Sequence, residues 1–456
     1  LAAQNKEDKE EIMDYKDIAQ QIIKIAKKKG ADEAETYLVN SRELNLEVRN
    51  GEIESVQEAS NYGLGIRVIK QNKMGFAYIN DFRPENLEES VSRALNFARV
   101  LTADENNVLP DDPGMTEVKG IYDASLSQIP MDKKISLLKE VENLALKVPG
   151  ITRSAGASYG EGESEIVVAN SHGLLKSYKS TACGYGIGVI SEKSEQKTSG
   201  YESCSRRFFS DLKPASEIAT SAAKKALEML DPRPIKTQRA AVIFDPDVAY
   251  AILGGIIQAV NGQSVLQGAS FLGKKLGQKI ASELITIIDD GTLEKGLASA
   301  PFDGEGVPTQ KRVIVENGVL KGFLYNTYAA RRAGVKSTGN AVRNGFDSLP
   351  GIGPHNFYLM SGSHKPEDII AATDRGVLVK EVTGYGINPV NGHFSGGASG
   401  LWVENGKITF PVKGITIAGT AEEILNGIDL LGNDLDLNRS TTAPTLRIKS
   451  LQIGGE

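Results

Sequence analysis

The sequence predicts an α+β fold. It holds a duplicated unit of β-hairpin, strand and helix in the N-terminal half, then a mostly antiparallel β domain with a few helices. Three observations carry this reading. Short apolar stretches alternate at the period of a strand, and 48 dispersed glycines punctuate them. GLGIRVI at 63–69 returns as GYGIGVI at 184–190, within a similar order of elements. Beyond Asp231-Pro232-Arg233-Pro234 helical periods become rare and Asn-Gly hairpin turns take over. Two copies are too few for a solenoid, so one layered structure is expected.

The first unit opens with a helix over 14–30, where Ile18, Ile22, Ile23, Ile25 and Ala26 recur near the helical period and Gly30 stops it. AETYLVN, LNLEVRNGEIESVQE, GLGIRVIK and MGFAYIND then read as strands, with Asn50-Gly51 as a hairpin turn. After Pro84 a helix runs to about Leu101, with Leu87, Val91, Leu95 and Ala98 on one face. The second unit repeats this order. A helix at 131–147 precedes the hairpin EIVVANSHGLLKSYKS, the strand GYGIGVI and a strand centred on Gly200. A helix from Pro214 through Met229 follows, with Ile218, Ala222 and Ala226 inward.

In the C-terminal part AAVIFDP predicts a strand, 247–261 a helix and ELITIIDD a buried strand. RVIVENGVLKGFLYN at 312–326 and GLWVENGKITFPVKG at 400–414 predict hairpins, each with Asn-Gly where positive φ is required. A single helix at about 366–375 lies between them. The chain thus divides into 14–115, 116–235 and 240–456.

Composition narrows the function. A net charge of −6 speaks against direct nucleic-acid contact, which needs clustered cations. Only Cys183 and Cys204 are present, which suits a reducing cytoplasm and small core residues. No apolar run approaches the roughly 18 residues of a membrane span. The first residues are polar and acidic, so no secretory signal is expected, and Met13 reads as a natural start. GYGIG lacks the directly following helix that a phosphate loop needs, and it sits inside a strand pattern.

Candidate chemistry is sparse. His172, His355, His364 and His393 include no pair three or four apart, so each is expected at the surface or in a turn. His393 stands near Ser395 and Ser399 in NGHFSGGASG, which a metal-independent hydrolase could use if a carboxylate oriented the imidazole. The G-x-S-x-G elbow is absent, and a loop that shapes the backbone is the expected reading. Asp289-Asp290-Gly291 and Asn433-Asp434-Leu435-Asp436 are expected to be turns.

In order along the chain stand GLGIRV after an NGxIE hairpin, IIDDGT, VIVENGVLKGFLYN, TGN, SGGASGLWVENGKI, PVKGITIAG and GNDL. Together they resemble the TldD/PmbA family, also called modulators of DNA gyrase, from about residue 33 to 455. The resemblance implies a zinc peptidase family, in which one member carries HExxxH and a late cysteine. Counted back from IIDDGT, those six positions fall on Leu253, Gly254, Gly255, Ile256, Ile257 and Gln258. Leu253 and Gln258 replace the histidines, Gly254 replaces the glutamate, and no cysteine follows GNDL.

This pattern resembles the PmbA or TldE type, the partner without metal ligands. It implies no cofactor in this chain and zinc only in a TldD-like metallopeptidase subunit. The shared substrate would be an unfolded peptide, bound by addition to a sheet edge, as in processing of microcin-type antibiotics or degradation of an antitoxin. A non-catalytic homodimeric binding protein is the further alternative.

Overall fold

The computed structural model describes residues 14–384 and 386–456, so the expected start at Met13 lies outside the described residues. The N-terminal half runs α1 (Tyr15–Lys28), β1 (Glu33–Arg49), β2 (Glu52–Lys70), β3 (Lys73–Ile79), α2 (Pro84–Val100), α3 (Met131–Leu146), β4 (Arg153–Asn170), β5 (Leu175–Lys193), β6 (Gln196–Arg206) and α4 (Ala215–Leu227). The order helix, three strands, helix therefore occurs twice. All six strands join one antiparallel sheet, ordered β3-β2-β1-β4-β5-β6. The two triplets meet where β1 pairs with β4, from Glu35 opposite Asn170 to Val48 opposite Ala157. The sheet is an antiparallel half-barrel.

β1 and β4 are longer than the sequence pattern suggests, because each passes under both helix pairs. Along β1 the even-numbered residues face the helices. Ala34 and Leu38 pack with α1 and α2. Leu44, Leu46 and Val48 pack with α3 and α4. AETYLVN and LNLEVR are thus one continuous strand of 17 residues. The break in apolar alternation at Asn40, Ser41 and Arg42 marks the gap between the two helix pairs, not a turn.

The C-terminal half runs β7 (Gln238–Phe244), α5 (Pro246–Ala259), α6 (Gly262–Leu266), β8 (Ile287–Asp290), β9 (Lys311–Glu316), β10 (Val319–Leu320), α7 (Thr327–Ala333), β11 (Ala341–Val342), β12 (Gly351–Ile352), β13 (Asn356–Leu359), α8 (Pro366–Ala371), β14 (Arg375–Thr383), β15 (His393–Glu404), β16 (Lys407–Thr420), α9 (Ala421–Gly427), β17 (Ile428–Leu431), β18 (Thr441–Thr442) and β19 (Leu446–Gly454). One sheet is ordered β16-β15-β14-β7-β19-β17, and β16 pairs back onto β19 to close a barrel. A second sheet is ordered β10-β9-β8-β13-β18.

Most pairings are antiparallel, as expected. Two are parallel, β14 with β7 and β13 with β18. Besides α8, the single helix expected between the hairpins, a short α7 precedes it and a short α9 follows the second hairpin. Both are well capped: Asn326 accepts from Ala329 N–H at the start of α7, and Thr420 and Glu423 form a capping box on α9. The three Asn-Gly turns adopt positive φ at both residues: Asn50 and Gly51, Asn317 and Gly318, Asn405 and Gly406. GYGIG lies within β5. Among the described residues no helix is long and apolar enough to cross a membrane.

Candidate functional site

The helix that the motif order singles out is α5. Asp245 caps it by accepting from Asp247 N–H at 3.1 Å, and Pro246 fills the first helical position. One face enters the largest core, where Ile252, Leu253 and Ile256 pack in one cluster with Phe244, Val379, Ile387 and Phe394. Gly255 lets the chain at Ile387 cross the helix closely. A Cβ there would stand 2.4 Å from the Ile387 carbonyl oxygen.

The opposite face is exposed among the described residues: Tyr250 is 50% exposed, Gln258 is exposed, and none of those residues lies within 4 Å of a Cβ built on Gly254. These three recur every four residues and form one stripe. Leu253, by contrast, is 2% exposed and belongs to the core. Leu253 thus faces the core while Gln258 faces solvent, so the two side chains do not meet. Ile257 is half-buried at the margin of the cluster. A zinc site needs thiolate, imidazole or carboxylate donors around one point. A methyl-bearing chain facing inward, a glycine and an outward amide do not fit that requirement. Among the described residues no three His, Cys, Asp or Glu side chains are placed to hold a metal ion.

Acids do occur at the start of α5, and they are engaged with cations. Lys225 of α4 bonds Asp247 and meets Glu202 of β6 at 2.9 Å. Arg439 meets Asp247 at 2.5 Å, and Lys380 meets Asp245 at 2.6 Å. Burial works against the charge on Asp247, but Lys225 and Arg439 hold its carboxyl below the usual range. This cluster ties the second N-terminal unit to the helix.

The histidines lie apart. His172 and His364 are exposed, as expected. His355 is not: it is buried, its N–H donates to Asp289 at 2.6 Å, and its ring Nδ1 stands 3.4 Å from the same carboxylate. Asn340 donates to Asp289 at 2.7 Å. Asp289 thus fastens the TGN segment and the chain before β13 to β8. The reason sequence missed this is that the partners come from three segments. Asp290, also buried, accepts from the N–H and hydroxyl of Thr292 and forms the expected turn.

His393, Ser395 and Ser399 are strand residues rather than a loop, all on β15 and on its outward alternation. They pair across the sheet with Thr420, Ala418 and Glu381. Among the described residues no side-chain hydrogen bond joins these three to each other or to an acid, so the arrangement lacks the orienting contact a hydrolase needs. Asp434 and Asp436 are spent on protein donors, Thr445 and Asn438.

Between the halves lies a buried network invisible to sequence spacing. Arg67 bridges Glu35 and, at 2.9 Å, Glu305, while Arg343 bonds the other oxygen of Glu35. Burial opposes the charge on Arg67, and the two glutamates overcome it and raise its pKa. The positions are up to 308 residues apart, so no local signal announces them.

Comparisons with known proteins agree with this architecture over nearly its whole length. Profiles of PmbA/TldA metallopeptidase domain 1, the central domain and the C-terminal domain match residues 34–98, 124–230 and 237–455. The chain is 32% identical to metalloprotease PmbA of Escherichia coli O157:H7, covering 93% of each. It is 32% identical to a metalloprotease PmbA homologue of Haemophilus influenzae, covering 95% of this chain and 94% of the other. The crystal structure of TldE from Thermococcus kodakarensis superposes with a TM-score of 0.88 at 29% identity, over 96% of this chain and 100% of that one. A Thermotoga maritima structure named for modulation of DNA gyrase gives a TM-score of 0.88 at 28% identity, over 96% and 100%. The chain belongs to the PmbA/TldD metallopeptidase family.

Proposed function

We propose that this chain is a PmbA/TldE-like subunit of a heterodimeric TldD/TldE-type peptidase that acts on unfolded peptides in the cytoplasm. The observation that carries the reading is the donor set on α5. Leu253 is sealed in the core, Gly254 has no side chain, and Gln258 is a neutral amide facing outward. None can ligate zinc tightly or accept a proton from water. The similarity to proteins named PmbA and TldE supports the same type. On this reading zinc belongs to a TldD-like partner, and this chain supplies walls of the peptide chamber. Residues 14–115 and 116–235 act as its two sheet-bearing units, and 240–456 is the counterpart of the peptidase domain.

The test is reconstitution. The chain is mixed with a TldD-like subunit carrying HExxxH, and cleavage of an unstructured peptide is followed alongside particle mass. The expected result is a one-to-one complex whose chelator-sensitive activity greatly exceeds that of either chain. Efficient cleavage by this chain alone, or a homodimer that ignores the partner, overturns the proposal.

A further inference from the structure

We propose that the face of the second unit opposite its helices binds an aromatic side chain of an extended peptide with flanking cationic residues. The proposal rests on the peptide-handling role above and names the class of sequence that this subunit recognises.

The repeated motif sets glycines on the same face of both units. Gly63 and Gly65 of β2 correspond to Gly184 and Gly186 of β5, and both pairs point away from the helices. In the first unit this glycine surface is occupied. A Cβ on Gly63 would come within 2.4 Å of the Phe346 ring, and one on Gly65 within 2.2 Å of the Phe346 carbonyl oxygen. Tyr78, on the neighbouring strand opposite Gly65, meets the Phe346 ring edge-on, with centroids 6.1 Å apart. The glycines are there because an aromatic residue lies against the bare backbone.

In the second unit the same surface is extended, and among the described residues no ring from the C-terminal half lies on it. Gly184 and Gly186 continue across the sheet into Gly160 and Ser158 on one side and into Ser205 and Ser203 on the other. The three atoms nearest a Cβ on Gly184 or Gly186 all belong to β6, and among the described residues the C-terminal half reaches the lining through Leu297 rather than a ring. The result is a trough of about 760 Å³. Tyr201 is 57% exposed on the adjoining strand, with its hydroxyl 2.8 Å from the Gly186 Cβ position, so it leans over the trough as an aromatic wall. An exposed ring beside bare backbone is suited to offset or edge-on contact with a second ring.

The trough also has a sign of charge. Glu43 and Glu47 border it, exposed, and no cation pairs with either among the described residues. Glu161 is already engaged by Lys134 at 2.7 Å and by the Tyr159 hydroxyl. Two free carboxylates favour lysine or arginine next to the bound ring and disfavour acidic neighbours.

The experiment measures fluorescence anisotropy of a labelled, unstructured peptide with one Phe between two Lys, added to the full chain. Saturable binding is expected, weakened at least tenfold when the peptide Phe becomes Ala. Ser203→Phe fills the trough from an exposed position and should weaken binding at least tenfold. Tyr201→Ala and the double change Glu43→Lys with Glu47→Lys should each weaken it several-fold, with circular dichroism confirming that all variants fold. Absence of saturable binding, equal affinity for the Ala peptide, or unchanged affinity in Ser203→Phe overturns the proposal. So does a trough closed by a second copy of the chain, seen as a dimer with which the peptide does not compete. Loss of this binding with intact peptidase activity in the reconstituted pair removes only this inference. Cleavage by the chain alone removes the subunit role instead.

Discussion

Glu35 and Arg67 stand opposite each other on β1 and β2, and at the matching positions of the second unit β4 and β5 carry Gly156 and Gly188. The first unit therefore grips the C-terminal half through buried charge, by way of Glu305 and Arg343, and through the Phe346 ring. The second unit adds a different grip to its half-buried Lys225–Asp247 pair. The Arg207 guanidinium donates to the carbonyls of Gly296, Leu297 and Ser299, and Lys176 Nζ donates to Gly306. The difference teaches that one sheet pattern can serve two ends. Where the face is filled it fixes the halves together, and where it is bare it leaves a surface free.

Breaking the charged grip should have the largest effect. Arg67→Ala leaves Glu35 and Glu305 buried with the bridging cation gone. That should cost about 3–5 kcal/mol, read as a lower urea midpoint. A loss below about 1 kcal/mol would mean that the network is wet and weak. Arg207→Ala should cost less, about 1–3 kcal/mol, because it strands neutral carbonyls rather than ions. Should Arg207→Ala prove the more damaging, the ranking of the two grips is reversed. Phe346→Ala removes a half-buried ring and should cost about 1–2 kcal/mol. Ser203→Phe, on the bare face, should stay within about 0.5 kcal/mol of the parent in the same urea series.

The last expected effect is a null one. Cys183 and Cys204 lie in the core beneath α3 and α4, and burial pushes the Cys183 thiol up to about 12. Its reactive thiolate is then scarce at pH 8, far below that value. Ellman's reagent should find no fast thiol in the native chain at pH 8 and two after unfolding in guanidinium. A fast native thiol would show that the second unit opens more readily than the compact packing implies.

Much of this fold is legible in the sequence where the signal is local. The four long helices of the N-terminal half follow from apolar residues at helical spacing, and Asn50-Gly51, Asn317-Gly318 and Asn405-Gly406 mark hairpin turns by the need for positive φ. What escapes is non-local. Nothing near Asn40 tells that β1 runs on beneath a second helix pair. Nothing near Arg67 names Glu305. His355 reads as a surface residue because the Asp289 carboxylate that makes its burial tolerable comes from 66 positions away. The short α7 has only seven residues, too few for a periodic signal, although Asn326 and Gly334 supply its caps. At α5 the sequence pattern places Leu253, Gly254 and Gln258 on one helix. Only the structure shows that Leu253 and Gln258 face different ways.

The central claim is that α5 cannot hold a catalytic metal. Zinc titration of the purified full chain by calorimetry, with elemental analysis after exhaustive dialysis, tests it most directly. Well under one tightly held zinc per chain is expected, with no change when Gln258 becomes Ala. One zinc per chain retained against a mild chelator, and lost in that variant, would contradict it.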